Sequence, residues 1–234
     1  SDKCYENVEW LWGYRENDRL GGKDPYSASK ACAELITKVY MESFFMENGP
    51  NIATTRAGNV IGGGDWALDR VVPDCVRAWS KGEKVEIRNP NATRPWQHVL
   101  EPLSGYLALG QKLFEGNPEL KNQSFNFGPH AKVNQSVGDL ITEMAQYWPG
   151  AGWKFEQEMN SDKPESTLLK LNCDKALQLL QWNSVLDFSE TVQMTGKWYQ
   201  DFYSQNSSSI LETTSRQIEK YTELAVQSNL VWTQ

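Results

Sequence analysis

The sequence predicts an α/β fold, and three features support that prediction. Residues 26–45 have a mixed apolar pattern typical of a long, partly buried helix, and Pro25 suits the first turn of such a helix. Residues 51–56 are predicted to form a buried strand because they contain a short apolar run. Residues 58–66 contain three consecutive glycines and are predicted to form a loop beyond the carboxyl end of that strand, where open α/β sheets bind ligands.

The other elements follow in order along the chain. Residues 8–23 are predicted to be a loop because the pair Gly21-Gly22 interrupts regular structure. The predicted strands cover residues 85–88, a strand end at 98, and residues 124–128, 153–157 and 167–171. The predicted helices cover residues 71–81, 99–115, 136–147, 174–180 and 189–203. Asp174 and Ser189 are acceptable N-cap residues for the last two of these helices.

Composition restricts the class of protein. The 234 residues are enough for a substantial core, or for one domain plus part of another, and 39% hydrophobic with 23% charged residues is close to the globular average. A net charge of −7 argues against nonspecific nucleic-acid binding, which needs a basic surface. An acidic protein that binds an anionic ligand must concentrate positive charge locally, which makes individual arginines informative.

Cysteine usage and hydropathy exclude further classes. The four cysteines are scattered with no Cys-x-x-Cys pair, and the chain has two histidines, so we expect neither a metal site nor a disulfide framework. Reduced thiols indicate a cytoplasmic protein. No apolar run approaches the ~20 residues that a membrane span needs, so no membrane association is expected.

The start of the first predicted helix carries a pair with chemical meaning. Tyr26 and Lys30 are four residues apart and therefore lie on one helix face. A free phenol has a pKa near ~10, and a fixed cation nearby lowers the pKa by favouring the phenolate. This arrangement makes a tyrosine into a proton acceptor. The pair alone is a weak signal, because exposed Tyr/Lys pairs are common on helices.

Three motifs in order make the signal specific. Ser1-Asp2-Lys3, the Tyr26/Lys30 pair and the Gly-rich loop after a short strand resemble the extended short-chain dehydrogenase/reductase family, and within it the nucleotide-sugar 4,6-dehydratases. The Ser-Asp-Lys sequence, residues 93–99 (TRPWQHV) and residues 164–171 (PESTLLKL) resemble the branch that acts on CDP-glucose. The resemblance runs from Ser1 to about Tyr203.

This resemblance implies a Rossmann-type parallel sheet with an interleaved, smaller nucleotide-sugar-binding domain. Residues 1–66 would be the C-terminal part of the Rossmann catalytic domain, and residues 67–203 the nucleotide-sugar domain with returning Rossmann elements at about 96–128. Residues 204–234 would be a polar tail, predicted helical over 210–232, for which the family offers no counterpart. The sequence contains no Gly-x-Gly-x-x-Gly turn, so we expect the C-terminal part of a longer enzyme whose cofactor-binding half is absent.

The activity implied by the resemblance is NAD-dependent dehydration of CDP-glucose to the 4-dehydro-6-deoxy sugar, for deoxysugar and O-antigen synthesis. The expected route is oxidation at carbon 4, loss of water across carbons 5 and 6, and return of hydride to carbon 6. Relatives pair through the Tyr/Lys helix, which implies a homodimer or a dimer of dimers. The alternatives are a 4-epimerase, a dehydratase for a dTDP-, GDP- or UDP-hexose, and a non-catalytic binding fragment. Asp2 beside Ser1 argues against an epimerase, which needs no acid at carbon 6.

The resemblance also implies catalytic roles. Tyr26 would remove the proton of the carbon-4 hydroxyl, while Lys30 would lower the pKa of Tyr26 and hold the nicotinamide ribose. Ser1 would bond the carbon-4 oxygen, and Asp2 would protonate the departing carbon-6 hydroxyl. Lys3 stands where relatives have the carboxylate that takes the carbon-5 proton. It could act as a base with a lowered pKa or as a cation that stabilises an enolate-like intermediate, and the sequence leaves both open.

A second set of side chains is expected around the nucleotide diphosphate. Asn59 lies on the loop that meets the phosphates in the family, and with Tyr26 and Lys30 it makes up the expected NAD contacts. Arg94 offers a planar fork for two phosphate oxygens. The weaker candidates for substrate binding are Arg70, Arg77, His98 and Glu165. A satisfied core histidine and a solvated glutamate are equally good interpretations of His98 and Glu165, and Arg56 is expected to be structural or to contribute to the field around the diphosphate.

Overall fold

The structure is a computed structural model that describes residues 1–47, 49–155, 168–204 and 209–234. Within these residues the helices are α1 (Pro25–Phe44), α2 (Val71–Trp79), α3 (Leu100–Phe114), α4 (Val137–Ala145), α5 (Asp174–Leu180), α6 (Phe188–Tyr203) and α7 (Ile210–Gln227). The strands are β1 (Thr54–Ala57), β2 (Val60–Ile61), β3 (Val85–Ile87), β4 (Thr93–Arg94), β5 (Gln97–His98), β6 (Ser124–Phe127), β7 (Gln135–Ser136) and β8 (Trp153–Phe155). Short 3-10 turns span Asp2–Cys4, Pro118–Leu120 and Val231–Thr233.

The strands of the described residues pair two by two, and most pairs are parallel. β1 pairs with β6, β2 with β5 and β3 with β8 in parallel, while β4 and β7 are antiparallel. Each parallel pair is joined by a connection that contains at least one helix, as parallel strands require. The fold is therefore α/β, as the sequence predicts.

The two largest of four hydrophobic clusters in the described residues hold most of these elements together. The larger is formed by α2, α4, α6 and β3, with Val76, Ile141 and Tyr199 fully buried. The other surrounds β6, whose Phe125 and Phe127 are fully buried. Helices α3 and α5 both contact β6, and the strand is covered on both faces, because Phe125, Asn126 and Phe127 are all buried.

Helix α1 begins and is oriented by contacts at its N-terminus. Asp24 is the N-cap: its Oδ1 accepts the Ser27 amide N–H at 3.0 Å, and Pro25 takes the first helical position. The helix contacts the 3-10 turn at Asp2–Cys4 and buries Ala31. The predicted helix over residues 26–45 is thus confirmed within one residue at each end.

Several predicted boundaries were wrong. The strand predicted over 51–56 is β1, three residues later, and the loop predicted over 58–66 contains β2, because Val60 and Ile61 pair with β5. A strand was predicted over 167–171, but its described residues form only one β-bridge, between Leu171 and Tyr14. Tyr14 lies in a loop, so the pairing extends no further.

Two N-caps were also assigned to the wrong residue. The N-cap of α6 is Asp187, which forms a capping box with Glu190, and the N-cap of α5 is Cys173 rather than Asp174. The capping box begins the helix one residue before Ser189, so Ser189 lies inside α6.

The C-terminal helix α7 packs on α6 and ends at Gln227, before the end of the predicted 210–232 helix. Asn229 has a left-handed backbone with φ of 54°, and the Leu230 amide donates to the Ala225 carbonyl at 3.1 Å. These bonds form a Schellman motif, which stops the helix there. None of the helices in the described residues is long and apolar enough to cross a bilayer.

Candidate active site

A cleft of about 640 Å³ lies where the N-termini of α1 and α2 meet the loop after β1 and strand β4. It brings together four of the predicted site residues, Lys3, Asn59, Arg70 and Arg94, which come from four separate parts of the chain. The full lining is Lys3, Asp24, Asn59, Val60, Ile61, Gly62, Asp65, Asp69, Arg70, Val71, Val72, Pro73, Arg94 and Trp96.

The cleft wall of this acidic protein carries charges of both signs, since Asp24, Asp65 and Asp69 line it together with three basic residues. Lys3, Arg70 and Arg94 supply three cations, and Arg94 Nη1 is held by the Thr93 carbonyl at 2.8 Å. Arg70 is 62% exposed and 3.4 Å from Asp65 Oδ2, a solvent-screened ion pair that contributes little and leaves the guanidinium available. The first turn of α2 also lines the cleft and has no side-chain cap, so its partial positive charge adds to the field. An anionic group is the ligand that these three cations and this helix N-terminus suit, at a distance from the three carboxylates of the same cleft.

Asp2 lies behind this wall, beneath Asn59. It is 5% exposed, and the Asn59 side-chain amide donates to Asp2 Oδ2 at 3.3 Å. Gly58 makes room for it, because a Cβ there would lie 1.9 Å from Asp2 Oδ2. Burial raises the pKa of the Asp2 carboxyl, and the nearby charges of Lys3 and Arg94 only partly oppose that shift. Asp2 therefore keeps its proton to a higher pH than an exposed aspartate does.

Tyr26 and Lys30 stand side by side in the first turns of α1. Tyr26 is 57% exposed, and Lys30 Nζ lies 5.5 Å from the centre of its ring. Lys30 also lines a small cavity of about 120 Å³ together with Ser1. Ser1 is the N-cap of the first 3-10 turn, and its hydroxyl accepts the Lys3 amide N–H at 3.2 Å. Asp24, two residues before Tyr26, lines the main cleft, but Tyr26, Lys30 and Ser1 are not among its lining residues.

His98 does not line the cleft. Its ring is buried, its Nδ1 accepts the Leu100 amide N–H at 3.3 Å, and burial lowers its pKa to about 4. Among the described residues its Nε2 has no hydrogen-bond partner. The structure therefore places His98 in the core but not as the satisfied histidine of the second interpretation, and a Cβ at Gly62, which lines the cleft, would lie 3.8 Å from its Nε2. Glu165 lies outside the described residues.

Arg56 and Arg77 make their contacts outside the cleft. Arg56 is buried between β1 and α1, where it pairs with Glu34 at 2.8 Å and donates to the Tyr5 hydroxyl at 2.7 Å. Arg77 donates to the Trp66 carbonyl at 3.0 Å and to the Ala67 carbonyl at 3.3 Å, and it also pairs with Asp74. Both side chains hold backbone segments in place rather than facing the cleft.

Sequence reasoning missed four polar or aromatic residues of the cleft, which are Asp24, Asp65, Asp69 and Trp96. Asp24 could have been found, since an aspartate immediately before Pro25 is an N-cap signal at the cleft end of α1. Asp65 could also have been found, since it lies in the Gly-rich loop predicted at the ligand-binding end of the sheet, whereas Asp69 carried no local signal. Trp96 is fixed by its indole N–H, which donates to the Gln135 carbonyl at 3.1 Å.

Residues 1–195 match the family model described as GDP-mannose 4,6 dehydratase. The chain belongs to this family. The predicted resemblance to nucleotide-sugar 4,6-dehydratases is thereby confirmed, and the match includes every described residue of the cleft.

The sequence is also similar to the sequences of two nucleotide-sugar 4,6-dehydratases. The chain is 42% identical over 227 residues to CDP-glucose 4,6-dehydratase of Salmonella typhimurium, which covers 94% of this chain and 62% of the relative. It is 25% identical over 203 residues to dTDP-glucose 4,6-dehydratase of Streptomyces antibioticus, covering 86% of this chain and 56% of that protein. The chain thus spans about three fifths of the length of these relatives.

Solved structures confirm the Rossmann-type α/β class. The dTDP-glucose 4,6-dehydratase from Bacillus anthracis, in complex with NAD, superposes with a TM-score of 0.69 at 18% identity, over 88% of this chain and 61% of that one. The UDP-glucuronic acid 4-epimerase from Bacillus cereus, in complex with UDP-glucuronic acid and NAD, gives a TM-score of 0.70 at 19% identity, over 87% and 60%. At these identities the likeness is one of fold.

Proposed function

We propose that the whole protein is an NAD-dependent nucleotide-sugar 4,6-dehydratase, a hydro-lyase, that acts on CDP-glucose. The observation that carries this proposal is the cleft in which Lys3, Asn59, Arg70 and Arg94 converge beside buried Asp2 and the N-terminus of the Tyr26/Lys30 helix. The 42% identity to CDP-glucose 4,6-dehydratase of Salmonella typhimurium supports the choice of nucleotide sugar.

The three cations of the cleft wall would bind the diphosphate of the substrate. Arg94 and Arg70 present guanidinium groups, which match pairs of phosphate oxygens, and the uncapped first turn of α2 offers backbone N–H groups. Asn59 lies between this wall and Asp2 and would contact both substrate and cofactor. His98, buried beside Gly62 of the cleft, and Glu165, which lies outside the described residues, stay weaker candidates for contacts to the nucleoside.

The proposed general base and general acid lie on two different elements of the structure. Tyr26 would take the proton of the carbon-4 hydroxyl, with the Lys30 cation beside it and Ser1 bonding the carbon-4 oxygen. Asp2 suits the acid at carbon 6, because its raised pKa keeps a proton available for the departing hydroxyl. Lys3 would act at carbon 5, as base or as cation. Lys3→Arg separates these roles, since a guanidinium keeps the charge but cannot accept a proton.

The chain fits one end of NAD. Tyr26 is exposed and Lys30 Nζ lies 5.5 Å from the centre of its ring, so the phenol and the ammonium would both reach the hydroxyls of a nicotinamide ribose. NAD, when bound, would accept a hydride from carbon 4 and return it at carbon 6. The Gly-rich turn and helix N-terminus that hold a dinucleotide pyrophosphate have no counterpart in this sequence, so these residues alone fit only the nicotinamide end.

Other properties of the whole enzyme belong to the same proposal. Exposed apolar side chains of α1, namely Leu35, Ile36, Val39, Tyr40 and Phe44, would pair with a second copy to give a homodimer or a dimer of dimers. Four free cysteines support a reducing, cytoplasmic location, and the reaction would serve deoxysugar and O-antigen synthesis. Residues 1–66 would complete the Rossmann domain, residues 67–203 the nucleotide-sugar domain interleaved at about 96–128, and residues 204–234 the tail.

The test is a product screen of the full-length enzyme with CDP-, dTDP-, GDP- and UDP-hexoses, read by mass spectrometry. We expect the CDP-glucose product to have lost one water. A product of unchanged mass would instead identify a 4-epimerase, and turnover of another hexose alone would overturn the choice of CDP-glucose.

A variant of the base tests the assignment of Tyr26. Tyr26→Phe should fold and keep NAD but lose about 100- to 10,000-fold in turnover, the usual contribution of a general base. Tyr203→Phe is the control, because Tyr203 is a phenol of α6 that does not line the cleft, and this variant should turn over normally. Wild-type turnover in Tyr26→Phe would remove this residue from the mechanism.

A further inference from the structure

The loop between β2 and α2 (residues 62–70, here the β2–α2 loop) is bonded to a side chain from a distant helix. The hydroxyl of Tyr199 on α6 donates to the Asp65 carbonyl at 2.7 Å and accepts the Asp65 amide N–H at 3.1 Å. One phenol therefore satisfies both backbone groups of a residue that lines the cleft. Burial raises the pKa of Tyr199 to about 12, so the hydroxyl keeps its proton at any physiological pH.

Helix α6 also packs directly on the backbone of this loop. A Cβ at Gly63 would lie 2.0 Å from the Trp198 ring, so only a glycine permits the contact. Trp66 makes an edge contact with the Tyr199 ring at 5.3 Å and a tilted contact with Phe202 at 4.9 Å. The β2–α2 loop is thus seated on an aromatic surface that fixes its distance from α6.

The position of Asp65 determines the position of Arg70. Asp65 Oδ1 accepts the Ala67 amide N–H at 3.0 Å, and Asp65 Oδ2 lies 3.4 Å from Arg70 Nη1. Arg70 is in turn the residue that precedes the first turn of α2. A shift of the Asp65 backbone would therefore move both the Arg70 guanidinium and the amides of α2 that face the cleft.

Helix α6 is itself held by α7. The Trp198 indole N–H donates to Thr214 Oγ1 at 2.9 Å, and the Gln217 amide donates to the Met194 carbonyl at 2.7 Å. Tyr199 and α7 lie beyond residue 195, where the family match ends. The support for the β2–α2 loop thus comes from a part of the chain outside that match.

We propose that Tyr199 is a positioning residue for the substrate: through the Asp65 backbone it sets the β2–α2 loop so that Arg70 and the first turn of α2 meet the nucleoside diphosphate. This rests on the proposed function for the identity of the ligand, while the effect on the loop is independent of it. Tyr199 does not line the cleft and is expected to touch neither the substrate nor the cofactor.

The test compares Tyr199→Phe with Tyr203→Phe in the full-length protein loaded with NAD. Both variants remove one phenol hydroxyl from the same aromatic cluster of α6, but Tyr203 contacts Trp66 and Trp148 through its ring. Hydrogen exchange of peptides covering residues 62–70 should be faster at the Asp65 amide in Tyr199→Phe only. Titration with cytidine 5′-diphosphate should show a Kd raised about 3- to 10-fold, the range that one hydrogen bond contributes.

Kinetics distinguish positioning from general destabilisation. Tyr199→Phe should raise KM for CDP-glucose by a similar factor and leave kcat unchanged, whereas partial unfolding would lower the active fraction and leave KM alone. Combining Tyr199→Phe with Arg70→Met should raise Kd less than the product of the two single effects, because both act through one contact.

The outcomes separate the two proposals. Wild-type exchange at Asp65 together with a wild-type Kd in Tyr199→Phe would overturn the role of Tyr199. If the wild-type protein bound none of CDP, dTDP, UDP and GDP, the proposed function would fail, and the Asp65 exchange alone would then decide whether Tyr199 sets the loop.

Discussion

At the scale of single residues, burial decides what an ionisable side chain can do in this protein. Glu101, at the start of α3, is almost fully buried, and it accepts the amide N–H groups of Val185 and Leu186 and the hydroxyl of Tyr221 from α7. Burial raises its pKa to about 7, and the three hydrogen bonds only partly oppose the shift. This carboxyl therefore links three parts of the chain, which are α3, the segment before α6, and helix α7. The strength of this link depends on pH.

Glu101→Gln should remove that pH dependence. Because the folded-state pKa is raised from 4.5 to about 7, the stability contributed by Glu101 is complete below pH 4.5 and is lost as the pH rises through about 7. A glutamine keeps the same shape and can accept both amides while donating to Tyr221. We expect the free energy of unfolding of the variant, relative to wild type, to rise between pH 5 and 7 by up to about 1.4 kcal/mol per pH unit.

Denaturant unfolding of the full-length protein at pH 5, 6 and 7 measures this difference. Glu115→Gln is the control, since Glu115 is exposed at the end of α3 and its pKa is lowered by its hydrogen bonds to Lys112 and Gln111. The control should show no such rise. A pH-independent difference for Glu101→Gln would contradict the assignment.

At the scale of elements, close packing limits the size of the side chain that a helix can carry at a given position. Helix α3 approaches β6 at Gly105, where a Cβ would lie 2.3 Å from the Phe127 ring. Five residues further along the same helix, Gly110 has no atom within 4 Å of the place where its Cβ would be. Close packing therefore requires a glycine at position 105 but not at position 110. Both glycines lower the helix propensity of α3, because only proline has a poorer propensity.

Gly105→Ala and Gly110→Ala should have opposite effects on stability. Gly105→Ala must displace the buried Phe127 ring or the helix, and overpacking of this kind costs about 1–3 kcal/mol. Gly110→Ala adds a methyl group in open space and should stabilise by about 0.5–1 kcal/mol through helix propensity. Thermal unfolding compares them directly, and equal effects of the two substitutions would show that the α3–β6 contact is looser than described.

At the scale of the whole molecule, α1 and β1 leave surfaces that other polypeptide can cover. Among the described residues β1 pairs only with β6, so its other edge has no strand partner there. A cavity of about 340 Å³ is lined by α1, by both of these strands and by residues 16–18. The exposed apolar side chains of α1 form a continuous face, in which the Tyr40 and Phe44 rings are 5.4 Å apart. A face of this kind is typical of a protein interface.

Val39→Lys should weaken the proposed dimer. Val39 is 56% exposed in the middle of the α1 face, and a charge there would have to be buried between two copies. Light scattering of the full-length protein at micromolar concentration should show a dimer for wild type and a larger monomer fraction for the variant. Leu107→Lys changes an apolar residue of α3 that is 76% exposed, and it should leave the dimer intact. A monomeric wild type, or an unaffected Val39→Lys, would exclude α1 as the interface.

The sequence by itself determined the features that depend on neighbours in the chain. The alternation of elements, helix α1 with its Tyr26/Lys30 pair and the ordered motifs of the family all rest on spacings of a few residues, which local propensity and sequence pattern encode. Boundaries such as that of β1 were less secure, because a short apolar run does not specify where pairing with another strand begins.

Only the tertiary structure decided which of these residues meet. Lys3, Asn59, Arg70 and Arg94 form one cleft wall, His98 turns into the core, and Tyr199 bonds Asp65 across 134 residues. Such contacts arise from packing between distant elements, which gives each residue no local pattern of its own. The raised pKa of Asp2 has the same origin, because its cause is burial under Gly58 and Asn59 rather than any property of the Ser-Asp-Lys sequence.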